Sequence, residues 1–179
     1  MTIYLIRHGK TLANEQRLYC GSTDLSLSPA GVKALEALHY PKFKAKYITS
    51  GMHRTNETLQ ILFGDTVFEV DPRFREVDFG CFEMKSYAQL KDEPAYQAWL
   101  AGDNESNIPP GGESGLQMKQ RALEAFGELR EDTVLIAHGG VIAAIMQSLF
   151  PEEKKSRYEW QPDNGCGYAV YADSYRRIP

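Results

Sequence analysis

Ile3-Tyr4-Leu5-Ile6-Arg7-His8-Gly9 and Thr133-Val134-Leu135-Ile136-Ala137-His138-Gly139 are two versions of one pattern. Each is a short apolar run of the kind expected of a strand buried on both faces, and each delivers a histidine followed by glycine. The two lie far apart in sequence, yet neighbouring parallel strands would set the histidines side by side. A lone histidine is more often structural, and His39 and His53, at a helix end and a helix start, are read so. Arg7 ends an otherwise apolar strand, where a charge is costly unless something pairs with it. A bound phosphate would be such a partner.

Outward from these two segments the chain alternates. Residues 46–49 and 66–70 read as strands and 167–171 as the last main strand. Ser28-Pro29 opens a helix with Val32, Leu35 and Leu38 at helical spacing, and residues 53–63 form another closed by Gly64. Residues 113–129 and 141–150 read as helices, and 9–28 as a long polar loop. Residues 73–112 are the least regular stretch, with short helices near 87–90 and 95–100 and a breaker at Pro109-Pro110-Gly111-Gly112. Alternating strands and helices predict one α/β domain over 1–179. Its form is a three-layer α/β/α sandwich around a mostly parallel sheet, with ligands beyond the carboxyl ends of the strands.

The 179 residues suffice for one core. A net charge of −4 argues against a broad nucleic-acid or acidic-membrane surface, so an anionic ligand must meet a local cluster of cations. Cys20, Cys81 and Cys166 are widely spaced and form no C-x-x-C pair, which suggests a reducing cytoplasm. The start carries no basic region before its apolar run, and no apolar stretch approaches membrane-helix length, so a soluble protein without membrane partners is expected. The sequence does not fix an oligomeric state.

Arg7-His8-Gly9 with Thr11 and Asn14 resembles the signature of the histidine phosphatase superfamily, the phosphoglycerate mutase-like enzymes. Gly21–Gly31 is similar to its G-x-x-D-x-x-L-[TS]-x-x-G segment, Ser50–Arg54 to its S-x-x-x-R element, Glu76–Gly80 to its E-x-x-x-G acid motif, and His138 to its second histidine. These motifs keep the family's order and span nearly the whole chain. Pro110–Ser114 resembles a turn of α-ribazole phosphatase-like members. There Glu113 and Ser114 are read first as a helix start and second as supports for the site.

The resemblance implies a phosphoglycerate mutase-like fold and a nucleophilic His8 that forms a phosphohistidine. Arg7 and Arg54 would bind phosphate and disfavour the imidazolium of His8. His138 would assist as cation or donor, with Asn14 and the backbone at Gly9 and Gly139 as further donors. Glu76 is the candidate general acid and base, with Asp78 and Glu83 as nearby substitutes; a substrate dianion beside a carboxyl favours its protonated form. Ser22, Thr23 and Lys10 are candidate substrate contacts, and residues 79–112 would shape the pocket, where Tyr87, Tyr96 and Trp99 could stack on a ring or sugar, although aromatics at such spacing are more often core.

Three positions depart from the family pattern: Lys10, where glutamate or glutamine is usual; Met84, where glycine is often found; and Thr55, where alanine is common. The implied activity is hydrolysis of a small phosphorylated metabolite without metal or cofactor. The alternatives are a phosphoglycerate mutase-type transferase and a non-catalytic phosphate-binding module. No cysteine has an arginine six positions later, no Asp-x-Asp pair occurs, and no P-loop is present, which excludes other phosphatase and kinase designs. Arginine beside the histidines would repel a metal ion.

Overall fold

A computed structural model describes residues 1–103 and 105–179; residue 104, inside the 79–112 stretch, lies outside the described residues. The strands are β1 (Ile3–Arg7), β2 (Lys46–Thr49), β3 (Glu69–Val70), β4 (Thr133–Ala137), β5 (Gly167–Val170) and β6 (Tyr175–Ile178). The helices are α1 (Leu12–Glu15), α2 (Pro29–Glu36), α3 (His53–Phe63), α4 (Tyr87–Leu90), α5 (Pro94–Leu100), α6 (Gly115–Gly127), α7 (Gly139–Leu149) and α8 (Arg157–Trp160). The strands form one sheet in the order β3-β2-β4-β1-β5-β6.

β3, β2, β4 and β1 run parallel, while β5 is antiparallel to β1 and β6 to β5. The sheet is therefore parallel through its middle and antiparallel at one edge. The expected third strand, 66–70, shrinks to Glu69–Val70, because Val67 stands 93% exposed and only the last two residues reach β2. The edge strand β6 was not anticipated. Arg176 and Arg177 lie exposed in its middle, so the apolar signal of a strand is missing there. The helix after His138 starts at Gly139, two residues earlier than expected, with His138 as its N-cap.

Alternation of side chains sorts each central strand between two cores. Ile3, Leu5, Leu135 and Ala137 join Val141, Ile145 and Met118 on the face covered by α6 and α7. Ile6, Val134 and Ile136 join Leu59 and Phe63 of α3 on the other. All five residues of β4 are buried, as a strand covered on both faces requires. Each fully buried aliphatic side chain contributes about 1.5–3 kcal/mol.

A third, smaller core holds Phe82, Leu90 and Tyr96, with Tyr19, Phe79 and Trp99 packed against it. It belongs to the irregular stretch and fastens that stretch as a cap onto the loop after β1: Met84 N–H donates to the Tyr19 carbonyl (2.7 Å) and Tyr19 N–H to that of Lys85 (3.0 Å). The register that pairs Arg7 with Ala137 brings the next residues, His8 and His138, together at the carboxyl edge of the sheet.

Candidate active site

The two imidazoles lie 5.1 Å apart between ring centroids, and both are buried. Nδ1 of His8 lies 2.6 Å from the Gly9 carbonyl. A carbonyl only accepts, so Nδ1 carries the proton and Nε2 keeps its lone pair. Burial first, then Arg54 and Arg7, hold the pKa of His8 well below the ordinary histidine value. The shift favours the neutral ring. Burial and then Arg54 depress His138 in the same way, which favours its neutral ring and, of the two roles weighed for it, donor over cation. Its ring nitrogens are also engaged: Nε2 lies 2.8 Å from the Ser50 hydroxyl, and Nδ1 faces the Nε–H of Arg54 at 3.3 Å.

Arg54, the second residue of α3, is 1% exposed. Besides His138, its guanidinium donates to the carbonyls of Thr23 (2.9 Å) and Gly21 (2.7 Å). Arg7 donates through Nη1 to the Pro162 carbonyl (2.9 Å), while its buried Nε finds no acceptor among the described residues. An orphaned buried donor costs about 1–3 kcal/mol, so this N–H lacks the partner its burial calls for. The guanidinium packs against Gly139, where an added Cβ would come within 3.2 Å of its Nε and Cζ and 3.1 Å of the Gln161 Oε1. That contact, together with an N–H at the first position of a helix, accounts for glycine there.

The carboxylate of Glu76 sits at the start of α7, accepting the N–H of Gly140 (2.9 Å) and that of Val77 (3.0 Å). A side chain at Gly140 would collide with it, the nearest oxygen lying 2.4 Å from a Cβ. The segment carrying Glu76 is gripped from behind by Arg121, which donates to the carbonyls of Arg73 (2.7 Å), Arg75 (2.7 Å) and Glu76 (3.1 Å). Arg121 in turn is paired with Glu113. Ser114 caps α6 while Glu113 supports the acid segment through Arg121, so each of the two roles weighed for this turn has its residue. In front of Glu76 opens a cleft of about 350 Å³ lined by Ser22, Pro72, Arg75, Asp78 and Arg121.

Most of the remaining expected residues are engaged within the protein. Glu83 accepts the N–H groups of Gly21 (2.9 Å), Ser22 (3.0 Å), Thr23 (3.3 Å) and Phe79 (3.0 Å), and the Thr23 hydroxyl (2.7 Å). It is a clamp on the 21–23 loop and not a spare acid. Asp78 accepts the Ser22 hydroxyl (2.8 Å) and the Gly80 N–H (2.8 Å). The hydroxyls of Ser22 and Thr23 thus face carboxylates of the chain itself. The Oδ1 of Asn14 accepts the Thr11 N–H (3.0 Å) in a capping box, which leaves Nδ2 as its donor end. Lys10 is exposed. The Gly9 N–H is taken by the Thr58 hydroxyl (2.9 Å).

Tyr96 and Trp99 are turned into the cap core, their ring centroids 5.7 Å apart, whereas Tyr87 is 60% exposed. Sequence reasoning missed Thr58, Arg121 and Asn164, whose Nδ2 holds the His8 carbonyl at 2.9 Å. Ser50 stood within a recognised motif, but Asn164 sits in a loop with no pattern to mark it. Among the described residues no three of His, Cys, Asp and Glu gather as metal ligands, and no helix is long and apolar enough to cross a membrane.

The family model of the histidine phosphatase superfamily (branch 1) matches residues 3–177. The adenosylcobalamin/alpha-ribazole phosphatase of Escherichia coli is 28% identical over 182 residues, covering 95% of this chain and 89% of the relative. Phosphoglycerate mutase-like protein 4 of Arabidopsis thaliana is 30% identical over 167 residues, covering 86% of this chain and 73% of the relative. A crystal structure of phosphoglycerate mutase from Thermus thermophilus superimposes with a TM-score of 0.80 at 27% identity, covering 100% of this chain and 99% of that one. The chain is an enzyme of the histidine phosphatase superfamily and belongs to its branch 1.

Proposed function

We propose that the enzyme hydrolyses a small phosphate monoester through a phosphohistidine on His8, with Glu76 as general acid and then general base. The observation that carries this reading is a buried His8, its neutral form favoured, whose Nδ1–H is tied to Gly9, beside an Arg7 whose buried Nε has no partner among the described residues. The Nε2 lone pair attacks phosphorus as the ester P–O bond breaks, and Glu76 protonates the departing alkoxide. Water then gives Glu76 a proton while its oxygen bonds to phosphorus and the P–N bond breaks, returning the electron pair to Nε2 and releasing phosphate. Arg7 and Arg54 offset the negative charge on the equatorial oxygens, with the Gly139 N–H and Asn14 Nδ2 as further candidate donors; phosphoryl transfer needs little beyond such positioning. No step calls for a metal.

Hydrolysis is placed ahead of mutase transfer on the strength of the adenosylcobalamin/alpha-ribazole phosphatase relative, whose match covers 95% of this chain. The cleft walls, with Ser22, Arg75 and Asp78, suit a polar leaving group rich in hydroxyls. Ring stacking by Tyr96 or Trp99 has no support, since both face the cap core. The adenosylcobalamin/alpha-ribazole phosphatase relative makes a ribosyl phosphate the first ester to try.

The test is phosphate release from p-nitrophenyl phosphate and a panel of sugar, nucleoside and hydroxy-acid phosphates, with EDTA present. Turnover should survive EDTA, and His8→Ala should lose it by at least about 10⁴-fold. Rapid quenching in alkali should trap a phosphohistidine in the wild type only. Release abolished by EDTA, or retained in His8→Ala, refutes the mechanism. Phosphate moved between positions of a phosphoglycerate without release would replace hydrolysis with mutase chemistry.

A further inference from the structure

Thr55, one of the departures from the family pattern, lies at the end of a chain of buried polar groups that leads into the site. Its hydroxyl donates to the Met52 carbonyl at 2.8 Å, and its oxygen lies 3.1 Å from that of Ser50. The Ser50 oxygen lies 2.8 Å from Nε2 of His138, and Nδ1 of His138 faces the Arg54 Nε–H. Thr55, Ser50 and His138 are each 0% exposed and Arg54 is 1% exposed, so no surface water stands in for a partner.

Each hydroxyl has one proton, and this fixes every direction in the chain. The Met52 carbonyl only accepts, so the Thr55 proton goes to it. The Thr55 oxygen is left to accept, and it takes the proton of Ser50. Ser50 can then only accept from His138, which places the ring proton on Nε2. Nδ1 keeps its lone pair, and that lone pair holds Arg54. Taken singly these are ordinary helix-start contacts; in series they leave no choice of tautomer.

We propose that Thr55 is a positioning residue which, through Ser50, fixes His138 as its Nε2–H tautomer and thereby holds Arg54 in place for the phosphoryl group. An alanine or valine at position 55 leaves the Ser50 proton without its acceptor. The hydroxyl then turns onto Nε2 of His138 and drives the ring proton to Nδ1, where it opposes the Arg54 N–H. The two active-site histidines therefore carry opposite tautomers, Nδ1–H at His8 and Nε2–H at His138. This rests on the phosphatase reading only for its activity readout, since the tautomer is measured without substrate.

The experiment is long-range ¹H–¹⁵N correlation on imidazole-labelled wild type, Thr55→Ser and Thr55→Val, paired with kinetics on the best ester of the panel. His138 should be Nε2–H in the wild type and in Thr55→Ser, and shift toward Nδ1–H in Thr55→Val. Turnover should fall about tenfold in Thr55→Val, the worth of one hydrogen bond, with Thr55→Ser within about threefold of wild type. An Nδ1–H tautomer at His138 of the wild type overturns the proposal without recourse to any variant. So does a folded Thr55→Val enzyme unchanged in both tautomer and turnover. An inactive wild type with the stated tautomers would instead fault the functional reading and leave the chain of bonds standing.

Discussion

The carboxyl edge of the sheet and the cap over it are built from opposite materials. At the edge, His8, His138 and Arg54 are buried polar groups held by directional bonds, most of them to backbone carbonyls or to hydroxyls with a single proton. The cap is an aromatic cluster, Tyr19, Phe79, Phe82, Tyr96 and Trp99, whose rings meet edge-on or tilted at 5.1–6.2 Å. Geometry at the edge is over-determined, as preorganised charge stabilisation demands. Packing of the cap is tolerant, because apolar contacts carry no direction. Chemistry can therefore be kept while the cap is reshaped, so long as whatever joins them is kept. That joint is Glu83, a cap residue whose carboxylate holds the N–H groups of Gly21 and Thr23, the same two residues whose carbonyls hold Arg54.

The edge should be the intolerant half. Arg54→Lys keeps the charge but cannot serve Gly21, Thr23 and His138 at once from a single ammonium. We expect kcat/KM to fall by about 10²–10³-fold. A loss below about threefold would mean that charge alone suffices and that the directional bonds are incidental.

Glu83→Ala tests the joint. It strands several backbone donors at a cost of about 2 kcal/mol, and through the slackened 21–23 loop it should lower kcat/KM about tenfold. Urea unfolding and steady-state kinetics read the two effects. Lost stability with unchanged kinetics would show that cap and edge are mechanically separate.

Acid should single out the edge. Unfolded histidine titrates near 6.5, whereas His8 and His138 are held neutral well below that by burial and by Arg54. Below about pH 6.5 the unfolded chain therefore binds protons that the folded chain refuses, and stability drops as pH falls. Unfolding free energy should decrease by about 2–3 kcal/mol from pH 7 to 5.5, and His138→Gln should remove about half of that dependence. A flat profile over this window would mean that the folded protein accepts the charges.

Legibility in the sequence followed the same division. The paired histidines were readable because Ile3–Arg7 and Thr133–Ala137 repeat one buried pattern, and a parallel register needs nothing else to bring their ends together. Glu83 and Asp78 read as spare acids because a carboxylate's partners cannot be seen locally; those of Glu83 come from about sixty residues earlier in the chain. Tyr96 and Trp99 were weighed as stacking platforms but read first as core, where both lie; spacing alone does not tell a ring that faces a ligand from one that faces another ring. Strand β6 escaped notice because an exposed edge with Arg176 and Arg177 lacks an apolar alternation. Thr55 was visible as a departure, but its meaning lay in the direction of three protons.

The smallest expected effect concerns Met84, directly after the joint. Its φ is +59°, in the left-handed region, and its side chain is 38% exposed. A non-glycine residue there costs about 1–2 kcal/mol, while glycine would add about 0.5–1 kcal/mol of unfolded-chain entropy. Met84→Gly should therefore stabilise the protein by about 0.5 kcal/mol in urea unfolding, the small difference of those two terms. Met84→Val, with a branched Cβ in the same conformation, should destabilise it by about 1 kcal/mol. Because the strain lies in the backbone of the cap, kcat should stay within about twofold of wild type in both variants, a barrier change below about 0.5 kcal/mol. If Met84→Gly gains stability but loses turnover, the strained residue is pressing Glu83 onto the 21–23 loop. The tolerance argued for the cap would then end at position 83 and not extend to 84.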